Sequence, residues 1–67
     1  MANIRETEEY KNMSVGRMMS LTYSEADSEE EQLAFWQKLV DTGFAWGLEG
    51  WYGRRAMDLI NDGIIDA

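Results

Sequence analysis

DTGFAWGLEGWYGRRAMDLINDG, residues Asp41–Gly63, sets glycines at 43, 47, 50, 53 and 63 among aromatic and aliphatic side chains. Glycine closes a helix in a left-handed turn without a Cβ penalty, so Gly43 and Gly63 are predicted helix stops. Ahead of Gly63, Ala56, Leu59 and Ile60 share one helical face with Tyr52 and Met57 beside them, which predicts a helix over Trp51–Asp62. Arg54, Asp58 and Asp62 follow at four-residue steps, so one exposed edge can carry a charge ladder. Ile64 and Ile65 are expected to fold back on the domain after the glycine. In Phe44–Gly50, Phe44, Trp46 and Leu48 alternate as a short strand would, yet the rest of the chain reads as helix and offers no strand partner. A short helix or helical turn between Gly43 and Gly50 is expected. A hairpin, or a strand lent to an intermolecular sheet, is the alternative.

Working upstream, the helix that ends at Gly43 has a marked beginning. Ser28-Glu29-Glu30-Glu31 matches a capping box, with three acids at the positive end of the helix dipole. Leu33, Trp36, Leu39 and Val40 form its apolar stripe with Phe35 alongside, while Lys38 and Asp41 are placed near the opposite, polar side. Ser24–Asp27 reads as a polar connector. Before it, Val15, Met18 and Met19 have helical spacing and Ser14 can cap, predicting a first helix over 14–23, weakened by Gly16. Residues 1–13 are rich in polar and charged side chains and read as a flexible or frayed arm. The expected fold is all-α: one helical domain over 14–67, a small bundle of three to four short helices with glycine-rich turns.

At 67 residues the chain is one domain, and a domain of this size buries only about 60% of its unfolded surface. With no Cys and no His, neither disulfides nor the usual zinc sites can supplement the core. Rich apolar packing or association must do so, and a 45% hydrophobic content with three Trp, three Tyr and two Phe favours packing, leaving homo-oligomers open. The net charge of −7, from 13 acids and 6 bases, argues against nucleic-acid binding and against docking on an anionic membrane. No apolar stretch is long enough for a membrane span, and the N-terminus lacks the apolar segment of a secretory signal, so cytoplasm is the default.

The parts for catalysis are missing. Without His or Cys, the Ser–His and Cys–His arrangements cannot form. Gly47, Gly50 and Gly53 recur every third residue but do not make a nucleotide-binding fingerprint; turns and close helix approach explain them better. Glu25, Asp27, Glu29, Glu30 and Glu31 crowd one stretch, yet a calcium loop over 25–36 would need a central glycine and a final Glu where Trp36 stands. A solvated helix start accounts for them. No enzyme activity, cofactor or metal is expected.

Contact chemistry is better represented. Trp, Tyr and Arg are the types most enriched at interface hot spots, and Trp46, Trp51, Tyr52, Arg54 and Arg55 fall close together in the chain. Exposure separates an interface from a core for the aromatics. Arg54 and Arg55 occupy the first turn of a helix, where the dipole disfavours cations. A carboxylate, Glu49 or Asp41, is expected to meet at least one of them, an external anion being the sharper alternative.

The run Leu39-Val-Asp-Thr-Gly43, Ala45-Trp46, Leu48, Gly50, Tyr52-Gly-Arg54, Ala56, Leu59-Ile60 and Gly63 resembles a family of small proteins of unassigned function encoded by tailed bacteriophages. The likeness thins upstream to about Met18 and leaves out the N-terminal arm; Gly47 and Glu49 depart from its longer neutral polar residues. No active site comes with the family. The resemblance implies a non-catalytic phage accessory protein in the bacterial cytoplasm, binding and modulating or inhibiting a host protein. A small nucleic-acid-associated regulator using Arg54 and Arg55, or a minor virion component, is the alternative.

Overall fold

A computed structural model describes residues 3–67, and within them the chain is entirely helical, with no strand. A 3-10 turn over Ile4–Glu6 is followed by α1 (Glu8–Asn12), α2 (Val15–Ser20), α3 (Glu29–Thr42), α4 (Phe44–Gly47) and α5 (Gly50–Asn61). The all-α expectation therefore holds, with more and shorter helices than the periodicity suggested. The strand alternative for 44–50 is overturned, since Phe44–Gly47 closes a helical turn in which the Leu48 N–H donates to the Phe44 carbonyl.

The long helix α3 is the axis about which the rest folds. Ser28 Oγ accepts the Glu31 N–H at 3.1 Å, as a capping serine should. The return half of the box is displaced by one residue: Glu31 Oε1 accepts from the Asp27 N–H at 2.8 Å. Glu31 also takes Arg17 through Nη2 at 2.8 Å and Nε at 3.1 Å, which fastens α2 to the start of α3. At the far end Gly43 stands at φ 82°, the left-handed conformation that stops α3 and turns the chain into α4.

The core lies along α3, with Ala34, Phe35, Trp36 and Leu39 packed among Met13, Met18, Leu21, Ala45, Tyr52, Ala56, Leu59 and Ile65. Alanines at 34, 45 and 56 let neighbouring helices approach closely while Met18 fills the space between. Leu33 and Val40, expected in the stripe, are only half-buried, and Gln37 is buried in their place.

The polar side of α3 is partly covered, because the described part of the expected arm is docked on it. Its first two residues, Met1 and Ala2, lie outside the described residues. Asp41 accepts from Arg5 Nη2 at 2.7 Å, from Arg5 Nε at 2.8 Å, and from the Tyr10 hydroxyl. Lys38 donates to the Met13 carbonyl at 3.1 Å and sits 4.2 Å from the centre of the Tyr10 ring. The cause is charge pairing across elements far apart in sequence, which helical periodicity does not register.

The C-terminus is tied to the same place. Gly63 at φ 75° forms a Schellman turn, the Ile64 N–H donating to Leu59 O at 2.9 Å and the Gly63 N–H to Ile60 O at 3.0 Å. Ile65 then folds back and is buried, as expected, whereas Ile64 remains partly exposed. Gln37 holds the strap down. Its Oε1 accepts the Asp66 N–H at 2.8 Å, and its Nε2 donates to Asp66 O at 2.9 Å and to Asp41 at 3.1 Å. One buried amide thus ties the C-terminal end to α3, beside the Asp41 carboxylate that holds Arg5 and Tyr10. Among the described residues no buried side-chain nitrogen or oxygen lacks a partner.

Candidate functional site

Helices α4 and α5 are set by backbone rather than by side-chain caps. Neither Gly43 nor Glu49 gives a side-chain capping hydrogen bond, and extended backbone at Leu48 and Glu49 separates the two helices. Between them lies an open groove of about 560 Å³, bordered by Trp46, Leu48, Gly50, Arg54, Met57 and Asp58. The Trp46 ring lies close over Gly53, yet Trp46 is 53% exposed and Met57 44%. Arg54 folds back along its helix, so that a Cβ at Gly50 would come within 3.2 Å of Arg54 Nη1.

The five residues singled out by sequence divide into four situations. Trp46 and Arg54 share the groove. Trp51, 47% exposed, borders a separate cleft together with Tyr23, and Arg55 is exposed on the lining of neither. Tyr52 belongs to the core: it is buried and its hydroxyl donates to Thr22 O at 3.2 Å. Trp51 stacks on it with ring centres 3.9 Å apart and meets Trp36 edge-on at 6.4 Å. Adjacent residues on a helix diverge by about 100°, which is why a compact run of sequence becomes separate surfaces.

The carboxylate expected for Arg54 or Arg55 is not there. Among the described residues neither arginine forms an ion pair, and the Arg54–Asp58–Asp62 ladder does not form. Asp41 is committed to Arg5 instead. The half-exposed Met57 and the exposed Tyr23 were not singled out. Met57 was legible in principle, standing three residues after Arg54 on the same face; Tyr23, in a polar connector, had no periodic signal.

Electrostatic perturbation lies elsewhere. The Arg5 guanidinium, aided by Tyr10 and Gln37 and opposed by partial burial, holds the Asp41 carboxyl down at about 2. Tyr10 is pushed up by burial and by its bond to Asp41. The Arg17 guanidinium lowers Glu31. All of these groups belong to the contacts that fasten the N-terminal helices to α3, and none lines the α4–α5 groove. They report structural pairing rather than a poised acid or base. Among the described residues no three His, Cys, Asp or Glu side chains gather as metal ligands, and no helix is long and apolar enough to cross a membrane.

The chain belongs to the family described as Domain of unknown function (DUF7417), which matches residues 10–67. That span takes in α2 to α5, most of α1 and the C-terminal strap. No curated protein and no solved structure matches the chain.

Proposed function

We propose that this member of a domain family of unknown function is a non-catalytic bacteriophage accessory protein that binds a host protein and modulates or inhibits it. The observation that carries the reading is the pairing of Trp46 and Arg54 in one open groove, the ring half-exposed and the guanidinium in no ion pair among the described residues. Trp and Arg are the side chains whose truncation most often costs an interface 2 kcal/mol or more. An arginine with no internal ion pair brings its donors to a partner without first breaking a bond. The phage context follows from the sequence resemblance, and the bacterial cytoplasm is where such a partner is met. The net charge of −7 weighs against nucleic acid as that partner.

The test is affinity capture from host lysate with the wild-type chain and a Trp46→Ala/Arg54→Ala variant, read by mass spectrometry. One host protein retained by the first and lost from the second is expected. Equal capture by both, or recovery of nucleic acid in a salt-sensitive manner, would overturn it.

A further inference from the structure

The second hollow, about 420 Å³, lies on the Trp51 side of α5, between that helix, α3 and the connector that follows α2. Its composition differs from that of the α4–α5 groove. The buried rings of Phe35, Trp36 and Tyr52 form its floor. Trp51 and Tyr23, 47% and 83% exposed, border it. Glu25 is the one carboxylate on the lining, no cation lines it, and Glu25 has no hydrogen bond or ion pair among the described residues.

We propose that this cleft receives the guanidinium of an arginine side chain presented by a basic segment of a partner protein. Aromatic faces are electronegative and attract a cation laid over them, most strongly when it is withdrawn from water. Guanidinium is planar and weakly hydrated, so it can lie against a ring and still give two parallel donors to a carboxylate. Glu25 supplies that carboxylate beside the rings. The chain does not satisfy the cleft itself: Arg5 and Arg17 are bound to carboxylates, Lys38 is held over Tyr10, and Arg55, one turn beyond Trp51, is off the lining. The net charge of −7 draws basic segments toward the surface. An uncharged apolar insert suits the cleft less well, because Glu25 and Gln32 border the rings and would lose water without gaining a partner.

The proposal rests on the protein-binding reading only in making the arginine part of a protein, and its test needs no host partner. The full chain is titrated with N-acetylarginine methylamide, and with the citrulline counterpart as the neutral isostere, following the Trp indole N–H and Tyr23 resonances by NMR. A saturable shift at Trp51 and Tyr23 is expected for the arginine compound, with a dissociation constant of roughly 1–10 mM. The citrulline compound should bind at least about fivefold more weakly. Glu25→Gln and Tyr23→Ala, both at exposed positions, should each weaken binding about three- to tenfold while leaving the fold intact. Equal response to both compounds, shifts confined to Trp46, indifference to Glu25→Gln, or no saturable shift would each overturn the proposal. Failure of the lysate capture with this titration intact would remove the host-protein reading and leave the arginine cleft standing.

Discussion

Asp41 offers the most quantitative check on how the chain ends are held. Its carboxyl stands at about 2 in the folded protein against an ordinary value of 3.8, chiefly because of the Arg5 guanidinium. A carboxyl depressed by folding contributes stability that is fully present above its unfolded value and is lost as pH falls through its folded one. The window is therefore from about pH 5 down to pH 2. At about 1.4 kcal/mol per pH unit the ceiling is about 2.5 kcal/mol. A third of the Arg5 side chain is in water, and screening there brings the expectation to about 1–2 kcal/mol. Asp41→Asn should thus cost about 1–2 kcal/mol at pH 7 and almost nothing at pH 2. Urea unfolding followed by Trp fluorescence at a series of pH values measures both ends, and subtracting the variant's profile from the wild type's removes Glu31 and the other carboxylates. A difference that stays constant across the window, or no loss at pH 7, would refute the Arg5–Asp41 assignment.

Two further perturbations test parts of the fold that bear on the site. Gln37→Leu should destabilise by about 2–3 kcal/mol, because three hydrogen bonds to Asp66 and Asp41 go with it; hydrogen exchange should speed up first at Ile65 and Asp66, and uniform loss of protection across the chain would contradict a local strap. Gly43→Ala should cost about 1–2 kcal/mol through its left-handed backbone, whereas Gly47→Ala, helical and also with open space around its Cβ, should be neutral or stabilising by up to about 1 kcal/mol. Thermal melts of the two variants compare them directly, and equal melting temperatures would remove the conformational account.

What could be read from the sequence was what is local. Ser14, Ser28, Gly43 and Gly63 act within one turn of themselves, through a side-chain cap or a positive φ, and each stands where the sequence placed it. Gly50 and the short helix before it followed from the same punctuation. The docking of the N-terminal helices escaped because it depends on Arg5 and Tyr10 meeting Asp41 more than thirty residues away, and on Lys38 meeting Met13. A charged residue on a polar helix face looks the same from sequence whether it meets water or an opposite charge. Gln37 was missed for a related reason: an amide breaks an apolar stripe until the backbone it pairs with is known. The aromatic–Arg run reads as one cluster in the sequence because proximity there hides the angular separation of Trp51, Tyr52 and Arg54 around α5.

That separation decides how the two half-exposed tryptophans differ. Trp51 is already employed: it stacks on Tyr52, meets Trp36 edge-on and so covers the aromatic centre of the core. Its exposed remainder borders the cleft that it shares with Tyr23 and Glu25. Trp46 has less to hold it. It lies over Gly53 on a four-residue helix that has no side-chain cap, and it meets no other aromatic ring among the described residues. In a domain with so little interior, the tight positions are filled by Met18, Ala34, Leu39 and Ala56, while a ring with more apolar area than any of them stays half in water. Stability alone would reward burying it. Beside Arg54 and Met57, the exposed face of Trp46 can add to an interface with little loss to the fold, and Trp51 cannot be removed on the same terms.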